Sequence, residues 1–160
     1  MRSFEVFASM SPEQATEVMR SLKKEAPGMY AQALAAAAAA FRARPVYLAR
    51  QPIDKQAASI RRALARVAAS PIAEELLAVY FLECRRDLLI EWLDALGIAH
   101  DEGTLEDDAP APPPKTKLAK TTRAFRAVDD DADRDLLLAA FAAQESVDWP
   151  DLDELIGPSA

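Results

Sequence analysis

Apolar positions are densest between Ser70 and Gly97, in the stretch SPIAEELLAVYFLECRRDLLIEWLDALG. At the helical repeat, the half up to Leu82 is apolar all round, whereas the half after it keeps a polar face of Glu83, Asp87, Glu91 and Asp94. A helix with no polar side must be enclosed, so the pattern predicts one long helix, Ser70–Leu96, at the centre of a bundle. Ser70 is its expected N-cap, with Pro71 at the first helical position and Gly97 as the stop. Ile98 then stands where a Schellman cap brings an apolar residue back over Leu93.

The rest of the chain arranges itself around that helix. Met1–Met10 carries Phe4, Val6 and Phe7 ahead of any capping signal and reads as an arm pinned by those side chains. Ser11-Pro12-Glu13-Gln14 is an N-cap, a proline at the first helical position and a capping-box Gln. Ala15, Val18, Met19, Leu22 and Ala26 follow at helical spacing until Pro27-Gly28. A second helix runs from Met29 to Arg42, with Tyr30, Leu34, Ala37, Ala38 and Phe41 as its stripe; its alanine run, Ala35–Ala40, reflects helix propensity. Arg44-Pro45 and Gln51-Pro52 bracket VYLARQ, predicting a kinked connector anchored by Tyr47 and Leu48.

From Pro52 to Ala69 the inward stripe is Ile53, Ala57, Ile60, Leu64 and Val67, with Lys55, Arg62 and Arg66 opposite. The short turn at Ser70 should fold this helix back antiparallel on the central one. Beyond Gly97 the composition changes at Glu106 to acids, then four prolines, then lysines, which cannot bury a core and form a linker or draped segment. Leu118, Thr122, Phe125 and Val128 then recur at helical spacing. Asp129–Asp131 can cap a helix over Asp133–Gln144, and a last short one begins near Asp148 with Trp149, Leu152, Leu155 and Ile156. The expected fold is therefore all-α: an up-and-down helical bundle over residues 1–105, an acidic proline-rich linker over 106–116, and a C-terminal helical segment, 117–160, docked on the bundle.

Composition supports this reading. The chain has 160 residues, half of them hydrophobic, with abundant alanine and only four glycines, which favours helix over sheet. The excess of arginine over lysine fits a GC-rich bacterial genome. A single cysteine excludes an internal disulfide and fits a reducing cytoplasm. Met1–Met10 has no uninterrupted apolar run of the leader type, and Leu76–Leu82 is far short of the roughly 20 residues that span a bilayer. The net charge of −7 hides an asymmetry: between Arg42 and Arg66 stand seven cations against Asp54 alone, while acids dominate after Glu74 except in Lys115–Arg126. The acid balance argues against general nucleic-acid affinity, which needs cations to meet phosphates.

Candidate chemistry is sparse. Gly28, Gly97, Gly103 and Gly157 are too far apart for a phosphate-cradling loop, and no serine has the flanking glycines of a nucleophile elbow. His100, the only histidine, lies beside Asp101 and Glu102, but a zinc or di-iron site needs more ligands of its kind. Cys84, beside Arg85 and Arg86, reads as a small core residue. Glu83, Asp87 and Glu91 line one face as a solvated stripe, which Lys55, Arg62 and Arg66 of a second copy can meet, orienting a homodimer rather than holding it. The tail DWPDLDELI has the acidic–apolar look of a docking motif, although Trp149, Leu152 and Leu155 are as well explained as bundle cover. No catalytic, cofactor-binding or metal-binding set is expected. The function read from the sequence is a non-enzymatic protein–protein interaction or scaffold module, with a protein partner or a second copy as its ligand. A rival is a nucleic-acid-associated regulator using a local basic patch; a third and weakest reading is an enzyme or metal site at His100.

Overall fold

The single helix expected over Ser70–Leu96 is broken in two. In the computed structural model, which describes residues 1–157, α6 spans Ser70–Glu83 and α7 spans Arg86–Leu96. Arg85 between them leaves the helical region, at φ −134° and ψ 44°, and its carbonyl accepts the first bond of α7 from Leu89. The break falls where the apolar pattern changes from all-round to one-sided. The guanidinium of Arg85 is thereby free to reach three aspartates of the following helices. Ten α-helices and one two-stranded hairpin make up the described residues, so the fold is all-α.

The break also separates two compact units, Ser3–Cys84 and Arg85 onward, the latter joined by Met1–Arg2. The boundary therefore lies twenty-one residues before the expected linker, which falls inside the second unit. In the N-terminal unit the expected arm is a helix, α1 (Ser3–Ser9), with Val6 and Phe7 buried against α6 and the fifth helix. Helix α2 (Pro12–Glu25) is capped as its sequence requires, Ser11 Oγ accepting from the Gln14 amide at 3.1 Å.

Helix α3 (Pro27–Ala40), the short α4 (Pro45–Ala49) and α5 (Ile53–Leu64) follow. Tyr30 at the start of α3 donates to Gln56 at the start of α5, while Phe41 at the end of α3 lies under Arg62 and Arg66 at the end of α5. These two helices thus run side by side in the same direction, and residues 41–52 return along them. Gln56 clamps that return, its amide donating to the carbonyls of Ala49 at 3.1 Å and Gln51 at 2.7 Å. Helix α5 stops at Leu64, and a 3-10 turn, Val67–Ala69, shifts the register; Val67 leaves the inward stripe and Ser70 becomes the first residue of α6 instead of its cap.

Helix α6 packs chiefly on α1, then on α2 and α3, and less on α5. Its enclosure is one-sided: Ala73, Leu76, Leu77, Tyr80 and Phe81 are buried, while Ile72, Ala78, Val79 and Leu82 are only half-buried.

In the C-terminal unit, α7 ends as its sequence indicates, with Gly97 at φ +73° and the Ile98 amide bonded to the Leu93 carbonyl at 3.0 Å. A minimal antiparallel hairpin pairs β1 (His100–Asp101) with β2 (Thr104–Leu105) through Glu102 and Gly103, both left-handed, as a two-residue turn demands. The acidic proline segment drapes over this unit, with Pro110 buried and its carbonyl accepting from Trp149 Nε1 at 2.9 Å. Helices α8 (Lys115–Arg126), α9 (Ala132–Ala142) and α10 (Pro150–Ile156) complete it. Trp92 packs on Phe125 and Phe141, and Phe141 on Trp149 edge-on, giving the unit an aromatic centre. Among the described residues no helix is long and apolar enough to cross a membrane.

Candidate interaction surface

Of the cations between Arg42 and Arg66, Arg42, Arg62 and Arg66 gather where α3 and α5 end. The alanine run of α3 closes in a Schellman-type cap, the Ala43 amide bonding back to the Ala38 carbonyl at 2.9 Å. That cap needs a left-handed residue, and Arg42 takes the position at φ +52° where glycine is the usual occupant. The Phe41 ring is covered by two guanidinium groups, those of Arg62 and Arg66, each 4.8 Å from its centroid. Arg66 also donates to the Ala40 carbonyl at 3.3 Å, one of the carbonyls a helix end leaves unpaired. Cations at the C-termini of two parallel helices face the negative ends of both dipoles.

Arg42, Arg44, Arg50, Lys55, Arg62 and Arg66 are all exposed, and among the described residues none of them pairs with a carboxylate. Three large apolar side chains of the same stretch also face solvent: Val46 (61% exposed), Tyr47 (62%) and Val67 (61%). Leu48 anchors the connector as expected; Tyr47 does not, and is turned outward.

Of the residues singled out from the sequence, Arg62 and Arg66 come together on Phe41, while Lys55 sits at the opposite end of α5. Glu83, Asp87 and Glu91 do not form one stripe, because the helix break puts Glu83 on α6 and the other two on α7. Asp87 is bonded to Arg85 and Glu91 to Arg134, so neither is an unengaged carboxylate. Trp149 and Leu152 are buried and Leu155 half-buried; the tail covers its own unit instead of presenting a docking motif. Sequence reasoning missed Phe41, Tyr47 and Val67 as surface features. The one available signal was the density of arginine around them.

The other chemistry-bearing groups are engaged structurally. His100 Nδ1 accepts from the Gly103 amide at 3.0 Å, which leaves Nε2 to donate to Asp94 at 2.6 Å, so one ring nitrogen serves the hairpin turn and the other ties the hairpin to α7. Cys84 is half-buried at the end of α6 and in no disulfide. Among the described residues, no group of three or more His, Cys, Asp and Glu side chains is placed to hold a metal ion.

Arg85 donates to Asp133 and Asp131 at 2.9 Å and to Asp87 at 3.3 Å. Its hydrogen bonds hold the Asp131 and Asp87 carboxyls below the usual carboxylate range. Arg134, almost wholly buried, donates to Asp129 at 2.9 Å and to the Phe125 carbonyl at 3.2 Å, pairs with Glu91 at 3.0 Å and lies over the Phe125 ring. These two arginines are staples of the C-terminal unit, whereas among the described residues Arg42, Arg44, Arg50, Arg62 and Arg66 of the N-terminal unit have no such carboxylates. Comparison with family models, with curated proteins and with solved structures finds no match for the chain.

Proposed function

We propose that the chain is a non-enzymatic contact protein that uses the arginine-rich end of its N-terminal unit to hold an acidic protein surface. One observation carries this reading: exposed arginines that have no carboxylate partner among the described residues share the stretch 42–67 with outward-facing Val46, Tyr47 and Val67. Arginine and tyrosine are the side chains most used at binding hot spots, and a guanidinium stacked on an aromatic ring keeps its donor edge free for a carboxylate. Its lone cysteine suits a reducing compartment, which favours the cytoplasm.

A second reading, nucleic acid, draws on the seven cations against one acid in this window and on the Tyr47 ring as a stacking platform. The two valines favour a protein, since a phosphate backbone gains nothing from them. The test is a titration of isotope-labelled chain with an acidic amphipathic peptide, glutamates on one face and leucines on the other, and separately with a thymidine oligonucleotide. Peptide-induced amide shifts confined to residues 41–50 and 59–67, weakened about tenfold or more in the Arg62→Glu/Arg66→Glu variant, are the expected result. Shifts produced by the oligonucleotide alone would give the surface to nucleic acid, and no shifts with either would remove the proposal.

A further inference from the structure

We infer that the acidic surface this face takes is carried by a second copy of the chain, in the segment Glu106–Asp108. The inference rests on the contact reading above and adds its occupant. The C-terminal unit holds eighteen Asp and Glu against nine Lys and Arg, while Ser3–Cys84 holds ten cations against eight acids. Complementary charges thus lie on different units of one chain. Many acids of the C-terminal unit are already consumed: Asp87, Asp131 and Asp133 by Arg85, Glu91 and Asp129 by Arg134, Asp135 by Arg126. Glu106, Asp107 and Asp108 are consecutive and exposed, and among the described residues none is in an ion pair.

This run is held at both ends. The Glu106 amide bonds to the Ala99 carbonyl at 3.2 Å, closing the hairpin, and four residues on Pro110 is buried under Trp149. Asp107 further turns back to the Ala109 amide at 3.0 Å. A charged segment fixed in this way loses little conformational freedom on binding, unlike a flexible acidic tail. The matching elements are Arg42 and Arg44 beside the left-handed cap and the Arg62–Arg66 pair over Phe41. Donor and acceptor are different surfaces, so each copy offers one of each, and the assembly is head-to-tail, closing into a ring or extending with concentration.

Sedimentation of the full chain at low salt should show an average mass rising with concentration above the monomer's 17.5 kDa, and falling back to it at about 0.5 M NaCl, where screening acts within a few ångströms. Arg62→Glu/Arg66→Glu and, separately, Glu106→Lys/Asp107→Lys/Asp108→Lys should each give a monomer. Mixing these two variants should restore association, because each then supplies the sign the other has lost. Arg42→Glu/Arg44→Glu repeats the first arm without touching Phe41, should the first variant fold poorly. A wild-type chain that stays monomeric at low salt, association that survives either set of reversals, or a mixture that stays monomeric would overturn the inference. If such a monomer still binds the acidic amphipathic peptide through residues 41–67, the contact reading stands and only the second copy is excluded; if it binds neither, both fall.

Discussion

Two arginines of this chain stand where a helix breaks or ends, and each position has a measurable consequence. Arg85 breaks a helix in order to hold Asp87, Asp131 and Asp133. Asp131 also caps α9, accepting from the Asp133 amide at 3.0 Å. Its carboxyl is held below the ordinary range first by the Arg85 hydrogen bond, so its contribution is complete above the unfolded pKa of about 4 and is lost as pH falls through the lower native value. Asp131→Asn should therefore cost about 1–3 kcal/mol at neutral pH. That difference from wild type should shrink as pH is lowered below about 4, in urea unfolding followed by tryptophan fluorescence. A difference constant with pH would remove the Arg85 pair as its source. Arg42 is the converse case, a side chain kept at a backbone position where glycine is cheaper. Arg42→Gly should raise the stability of the N-terminal unit by roughly 1 kcal/mol in urea unfolding followed by circular dichroism, and weaken binding of the acidic peptide. A loss of stability would mean that the side chain, rather than the surface it serves, is what the fold retains.

Helices declare themselves in this sequence where local rules suffice, and are misread where a distant side chain intervenes. The Ser11 cap, the Gly97 stop with its Ile98 bond and the start of α9 at Asp131 follow from neighbours within four or five residues. The break at Cys84–Arg85 does not, because two of the three aspartates that reward it, Asp131 and Asp133, lie more than forty residues away. Val67 departs from the expected inward stripe for a related reason: a 3-10 turn rotates the register, and apolar periodicity carries no mark of where α5 ends. Nor does periodicity distinguish Tyr47 from Leu48, neighbours on a five-residue helix of which only one is covered. The draped proline segment is the clearest element-scale test. Its anchor is the hydrogen bond from Trp149 to Pro110, so Trp149→Phe, which keeps an aromatic ring there, should cost about 1 kcal/mol and open residues 106–114 to proteolysis. Unchanged cleavage would show that packing of Pro110 alone holds the segment down.

Charge is divided between the two units far more unevenly than the net value of −7 suggests. The C-terminal unit carries twice as many acids as cations, and within it Glu106–Asp108 has no cation to offset its charge among the described residues. Self-repulsion of that kind weakens a compact state and is relieved by salt, whose screening length falls from about 10 Å at 0.1 M to about 3 Å at 1 M. The ion pairs of Arg85 and Arg134 act over shorter distances at half-buried and buried guanidiniums, so salt weakens them less than it weakens the repulsion. Both tryptophans, Trp92 and Trp149, belong to this unit, which makes fluorescence a reporter of it alone. At a chain concentration low enough to keep it monomeric, its unfolding midpoint should therefore rise as NaCl is raised from about 0.05 to 1 M, in the Glu106→Lys/Asp107→Lys/Asp108→Lys variant less than in wild type. A midpoint that falls would mean that the unit's ion pairs outweigh its repulsion. The repulsion within Glu106–Asp108 would then be too weak to set how the unit responds to salt.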